Sequence, residues 1–271
     1  MKSNLIYNEE LLKGRNALVT GGGTGLGRAI SVGLSQVGAN VTIVSRQEEK
    51  LAKAAKEISD GTGRQVSYDV VDIRDNDSVT ELSQRHENID ILINNAGGQF
   101  PQKARDFSPN GWLSVIDLNL NGTWNMTQAF GNKMLEGDGG SICQIIATVG
   151  RGIPGIAHSA SARAGVLELS KTLSFEWGPK VRVNCVAPGQ FRTDAFDSTY
   201  EDGVGDGFVE QPLPNIGDVA DIANGVIFLV SPAARFITGE VLHVDGGLIL
   251  QGPMSALPVD GYPERKLSHG F

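Results

Sequence analysis

Two short stretches of this 271-residue chain combine residue types suited to chemistry. The first is "TGGGTGLG" at residues 20–27. Here Gly21 permits a sharp turn, Gly25 lets backbone approach a pyrophosphate, and Gly27 lets a helix pack closely on a strand. Leu26 stands between the last two. A helix opening at this point would offer unpaired N–H groups, Leu26 and Gly27 among them, and the positive end of its dipole to phosphates. The second stretch is "AHSASARAG" at residues 157–165. His158 is its one side chain that titrates near neutral pH, which makes it a candidate proton donor. Ser159 offers a hydroxyl. Arg163 offers a positive charge that stays protonated and so cannot carry a proton.

The elements that must position these stretches follow from the apolar pattern. "NALVT" (16–20) reads as a buried strand running directly into the glycine loop, with a helix from there to about residue 36. "NVTIVS" (40–45) is a second strand, followed by the amphipathic helix "EEKLAKAAKEI". Further strands are "QVSYDV" (65–70), "IDILINNAG" (89–97), "GSICQIIAT" (140–148), "VRVNCVAPG" (181–189) and "VLHVDGG" (241–247). Long helical regions cover 109–136 and 158–177. Continuous apolar strands alternating with helices predict an α/β fold: one doubly wound, Rossmann-like parallel sheet of about seven strands, covered on both faces. A ligand crevice is expected at the carboxyl ends of the strands. Residues 1–271 read as one domain. Within it, 190–216, with Gly203, Gly205 and Gly207, reads as a substrate lid, and 251–271, with Pro253, Pro258 and Pro263, as an irregular tail.

In that context the glycine string becomes a dinucleotide site. An NAD site usually ends its second strand with an acid that holds the ribose 2′-OH. This chain has Ser45 and then Arg46 there. A guanidinium pairs well with a 2′-phosphate, so NADP is expected in preference to NAD. Asp72 and Ile73, just after the third strand, are placed to meet the adenine.

The net charge of −8, with no basic stripe, argues against a nucleic-acid partner. The apolar runs are too short to span a membrane, and "MKSNLIYNEELLKGR" lacks the apolar core of a signal peptide. A cytoplasmic location, a small-molecule substrate and no metal are the expectations. Cys143 and Cys185 lie in strand-like segments and read as buried free thiols.

"TGGGTGLG", "NNAG" (94–97), "NLNG" (119–122) and "VRVNCVAPG" together resemble the short-chain dehydrogenase/reductase family, over roughly residues 12–247. "NNAGGQF" (94–100) and "HSASARAGV" (158–166) are similar to its enoyl-CoA and 2,4-dienoyl-CoA reductase branch. The resemblance implies that Asn94, Ala96 and Gly97 line the cofactor. It implies that Asn119 holds a water in a proton relay, and that Pro188, Gly189 and Thr193 contact the nicotinamide end. Family members assemble as dimers or tetramers, so a homodimer or homotetramer built on the two long helical regions is implied.

The catalytic pattern of the family is then missing. Its substrate-binding serine is replaced by Ala147, followed by Thr148; its tyrosine position is Ser159, and its lysine position is Arg163. The dienoyl-CoA branch uses a serine at the place of Ser159 and a tyrosine eleven residues earlier, where this chain has Thr148. Four residues after Arg163 comes Leu167, with Glu168 next to it, and the remaining phenols considered are Tyr200 and Tyr262. Carbonyl reduction through a tyrosine is therefore closed. Reducing a conjugated C=C bond stays open, because Thr148 and Ser159 hydroxyls could stabilise an enolate while water supplies the proton. The acidic run at 194–210 is poorly disposed toward a coenzyme A phosphate arm. Two readings remain. One is an NADP(H)-dependent oxidoreductase acting on an enoyl thioester or another conjugated or ketonic small molecule. The other is a catalytically silent member, serving as a structural subunit or a cofactor-binding protein, with a hetero-oligomer including an active paralogue as one form.

Overall fold

Alternate residues of the first strand are buried on opposite faces, and this period of two organises the molecule. In the computed structural model β1 spans Asn16–Thr20. Its Ala17 and Val19 join one apolar cluster with Ile30, Leu34, Ile43 and Val226. Its Leu18 joins another with Val44, Met126 and Phe130. A strand buried on both faces must be apolar at every position, which is why it reads as a continuous run.

The other strands are β2 (Asn40–Ser45), β3 (Val66–Val70), β4 (Ile91–Asn94), β5 (Gly140–Ile145), β6 (Val181–Pro188) and β7 (Val241–Val244). They form one parallel sheet in the order β3-β2-β1-β4-β5-β6-β7. The order reverses between β1 and β4, and a crevice opens where it does. Thr20 is level with Val44 on one side and Asn94 on the other, so three strands deliver their carboxyl ends to one place.

The helices are α1 (Gly25–Gln36), α2 (Glu48–Thr62), α3 (Asn76–Arg85), α4 (Pro109–Ile116), α5 (Gly122–Glu136), α6 (Ala157–Glu176) and α7 (Val219–Val230). The expected doubly wound α/β sheet is what forms. α3 and α7 add to the helices expected from the sequence. α3 carries a thin apolar stripe, Val79 and Leu82, and is started by Asp75, whose side chain accepts from the Asp77 N–H. α7 is started by a reciprocal capping box between Asp218 and Asp221.

The long helix expected over 109–136 is interrupted. Asp117–Asn121 forms one π-helical turn between α4 and α5. Such a turn inserts an extra residue into the helical ladder and is often found at functional sites. Asn119 sits in it, fully buried.

The structure describes residues 6–148, 152, 154–191, 193, 212–213 and 216–250. Most of the expected lid at 190–216, with the acidic run and Tyr200, lies outside these residues, as does the expected tail at 251–271 with Tyr262. Among the described residues no helix is long and apolar enough to cross a membrane. Both cysteines are buried free thiols.

Candidate nucleotide cleft and reaction site

The glycine loop is built by backbone conformation and by the absence of side chains. Gly21 and Gly25 have φ of +64° and +50°, the left-handed region that favours glycine. A Cβ on Gly27 would lie 2.2 Å from the Gly21 carbonyl oxygen, so any side chain there would push α1 off the loop. Gly22 is a further glycine of this kind, for its Cβ would lie 2.6 Å from Cγ2 of Ile43. The sequence alone does not single it out, because the clash is with a residue of another strand. Thr24 caps α1 without a side-chain hydrogen bond, so the first-turn N–H groups keep their free valences. Leu26 packs its side chain on the core, leaving only its amide to a ligand.

A second loop is tied to this one. Thr20 Oγ1 accepts from the N–H groups of Asn95 (3.0 Å) and Ala96 (2.9 Å). Asn95 Nδ2 returns a bond to the Thr20 carbonyl at 3.0 Å. Asn94, expected to line the cofactor, turns its side chain inward. Its side chain is 3% exposed and donates to Thr127 Oγ1 of α5 at 2.9 Å. The strand period turns residue 94 into the core, so it is the neighbouring Asn95 that braces the loop.

Between the loops lies a cleft of about 280 Å³, lined by Gly21, Ser45, Arg46, Lys50, Asp72, Ile73, Ala96, Gly97 and Leu118, among others. Arg46 is exposed at its edge. Asp72 is clasped by Arg74, whose guanidinium beside it holds the carboxyl below the usual carboxylate range. Ile73 is buried and would meet a Cβ on Gly122 at 2.7 Å. A turn with two left-handed glycines, uncapped helix amides and a cation at the end of β2 suit a dinucleotide. Lys50, on the first turn of α2, was not foreseen, since only the fold brings it to the cleft.

At the other end two expected residues converge on Gly97. A Cβ there would lie 2.2 Å from Nη2 of Arg163 and 2.5 Å from Oδ1 of Asn119. Asn119 is fixed by Nδ2 bonds to the carbonyls of Gly98 and Val115, both at 2.8 Å, and it accepts the Gly98 N–H at 3.2 Å. Arg163 Nη1 donates to the Ile145 carbonyl at the end of β5, at 2.5 Å. Burial draws its pKa down to about 10, so it stays charged at neutral pH. Ser159, one turn earlier on α6, is 3% exposed. Thr148 is buried and donates to the Pro188 carbonyl at 3.2 Å. Gly189 packs against Asp245, leaving no room for a Cβ. Thr193 lies over the glycine loop, its Cβ 3.6 Å from where a Cβ on Gly25 would be.

His158 is placed differently from the expectation of a proton donor. It is wholly buried between Phe100 and Phe107, with ring centroids 4.7 and 4.4 Å away. Its Nδ1 accepts the Ser159 N–H at 2.7 Å, and Nε2 has no partner among the described residues. Burial lowers its pKa, with the Ile156 carbonyl opposing in part. A ring enclosed between two phenylalanines and out of solvent is poorly placed to pass a proton. Glu168 is exposed and pairs with Lys171 at 2.6 Å, as its place on the helix predicts. Arg163 is thus a fixed cation beside Gly97, Ser159 lies one turn before it on α6, and Thr148 is held at Pro188.

Comparison with known proteins agrees with this architecture. The family model described as Enoyl-(Acyl carrier protein) reductase matches residues 21–249. The chain is 38% identical over 244 residues to the 3-oxoacyl-[acyl-carrier-protein] reductase FabG of Chlamydia trachomatis, covering 88% of this chain and 98% of that protein. It is 36% identical over 252 residues to the peroxisomal 2,4-dienoyl-CoA reductase [(3E)-enoyl-CoA-producing] of Danio rerio, covering 89% and 84%. The crystal structure of a gluconate 5-dehydrogenase from Burkholderia cenocepacia, in complex with NADP and tartrate, superimposes with a TM-score of 0.84 at 32% identity, covering 90% of this chain and 99% of that one. With its sheet order, glycine loop and matched length, the chain belongs to the short-chain dehydrogenase/reductase family of NAD(P)-dependent oxidoreductases.

Proposed function

We propose that this chain is an NADP(H)-dependent reductase of a small acyl substrate whose C=C bond is conjugated to a thioester carbonyl, and that it works without a side-chain proton donor. One observation carries the reading. The family's tyrosine and lysine positions on α6 hold Ser159 and Arg163, and Arg163 is fixed beside Asn119 over Gly97.

The residues lining the cleft would hold the cofactor end to end. Gly21, Gly25 and the amides of Leu26 and Gly27 take the pyrophosphate. Ser45 and Arg46 take the 2′-phosphate, and Asp72 and Ile73 flank the adenine. Ala96 and Gly97 line the middle of the cleft, Pro188, Gly189 and Thr193 the nicotinamide end, and Arg163 the nicotinamide ribose. When bound, the nicotinamide supplies a hydride to the substrate.

The chain's own residues act on the charge that then develops on the substrate. Hydride addition to a conjugated alkene places negative charge on the thioester oxygen as an enolate. The Ser159 hydroxyl, and the Thr148 hydroxyl once it turns from the Pro188 carbonyl, would donate to that oxygen, and the half-buried Arg163 charge would stabilise it. The proton is needed at carbon, where water can deliver it. A ketone would instead need its proton at oxygen from a group with a pKa near neutral. Neither hydroxyl nor guanidinium is such a group, which favours the conjugated alkene. Assembly as a homodimer or homotetramer belongs to the same proposal, and Phe175 on α6, 90% exposed, is available to such an interface.

The second reading, a silent cofactor-binding member, has one observation in its favour. The Thr148 hydroxyl is already donated to Pro188 and one Arg163 nitrogen to Ile145. A single assay separates the two. NADPH consumption is followed with trans-2-enoyl-CoA, 2,4-dienoyl-CoA and 3-oxoacyl-CoA, alongside calorimetric titration of NADPH. Turnover of the unsaturated thioesters and little of the 3-oxo compound is expected. NADPH binding with no turnover of any of them would establish the silent reading.

A further inference from the structure

The adenosine end of the cleft brings together three cations and one carboxylate, and they are paired unevenly. Arg74 clasps Asp72. Its Nε reaches the two carboxylate oxygens at 2.9 and 3.1 Å and its Nη2 reaches Oδ2 at 2.5 Å. The Arg74 backbone N–H adds a contact to Oδ1 at 3.1 Å. Arg46 and Lys50 line the cleft with Asp72, yet their side chains make no hydrogen bond or ion pair among the described residues. Arg46 is still near enough for its charge to act on the Asp72 carboxyl.

An unclasped Asp72 would harm a phosphate site in two ways. Its carboxylate would repel a phosphate dianion across the cleft. It would also attract the Arg46 guanidinium, the group that the phosphate requires, because a carboxylate is a bidentate partner of the same shape. The Arg74 fork occupies both carboxylate oxygens and leaves Arg46 open. Lys50 adds a mobile ammonium on the same wall, a point charge that can follow a phosphate without needing bidentate geometry.

We infer that Lys50 is a second phosphate-binding cation beside Arg46, and that Arg74 is a positioning residue that keeps Asp72 from capturing Arg46. Together they set the preference for a 2′-phosphorylated nucleotide. The inference rests on the proposed reading of the cleft as an NADP site, and names the residues that decide it.

The test is calorimetric titration of the full chain with 2′,5′-ADP and with 5′-AMP, which differ only in the 2′-phosphate. The readout is the ratio of the two dissociation constants, not turnover. In the wild type 2′,5′-ADP binds more tightly. Lys50→Ala is expected to reduce that preference about fivefold, and Arg74→Ala about tenfold, in keeping with charge pairs at a part-exposed site. Adding Asp72→Asn to Arg74→Ala restores the preference to within about twofold, because the competing charge is gone. A wild type with no preference overturns the NADP reading and this inference with it. A wild-type preference that Lys50→Ala leaves intact overturns the role of Lys50 alone. A preference that Arg74→Ala leaves intact, or that Asp72→Asn fails to restore, overturns the positioning role of Arg74.

Discussion

The two ends of the cleft differ in what holds their functional groups. At the adenosine end the working parts are backbone amides, left-handed glycines and two open cations on the rim. At the reaction end they are side chains already engaged with the fold. Arg163 is bonded to Ile145, Thr148 to Pro188, Asn119 to Gly98 and Val115, and His158 is shut between two phenylalanines. On the proposed reading the first end keeps the family's pattern and the second departs from it. Binding can survive on geometry alone. Chemistry needs particular ionisable groups, and on the proposed reading a fixed charge and two hydroxyls stand in their place.

The contrast can be broken hardest at Gly27. A valine there would drive a side chain into the Gly21 carbonyl. NADPH binding is expected to vanish by calorimetry, and unfolding free energy to fall by roughly 1–3 kcal/mol, the usual cost of overpacking. Next in size is Arg163→Ala. Removing one charged donor should lower turnover of an unsaturated thioester about 100- to 1000-fold. Binding of 2′,5′-ADP at the far end should stay within about twofold, since sites without shared partners act nearly independently. Arg163→Lys keeps the charge and should retain turnover within about tenfold of the wild type, whereas equal loss in both variants would mean that shape rather than charge matters.

A smaller effect should come from His158, through pH. Its folded pKa lies below the ordinary value of 6.5, because burial penalises the charged ring. The unfolded chain therefore takes up the proton first. The stability linked to this group is full above about pH 6.5 and is lost as pH falls below it. His158→Phe should flatten that acid limb in urea titrations at successive pH values. The rate profile of the wild type should show no histidine step between about pH 6 and 8. The smallest effect belongs to Glu168→Gln. Its exposed pair with Lys171 is worth about 0–1 kcal/mol, and turnover should not change. A large loss there would mean that a carboxylate takes part after all.

Much of this is legible in the sequence. The strand runs, the turn before α1 and the start of α6 are written in local pattern, because a doubly buried strand must be apolar throughout and a left-handed turn must be glycine. α3 was less legible, since its apolar stripe is only two buried residues wide and its start rests on the Asp75 cap. The π turn at Asp117–Asn121 left no mark, as its residues differ little from those of an ordinary helix. Gly22 was hidden because its crowding comes from Ile43, twenty-one residues on.

The sequence by itself determined the fold class, the glycine loop after β1, and the presence of Ser159 and Arg163 four residues apart on α6. These depend on residue identity and short-range spacing. Only the tertiary structure decided which polar groups remain open and which are taken. It turned Asn94 into the core, closed Phe100 and Phe107 over His158, and brought Lys50 to the wall of the cleft. The reason is physical: a hydrogen bond, an ion pair or a desolvated ring is settled by neighbours distant in the chain, and those neighbours exist only once the sheet and its helices have packed.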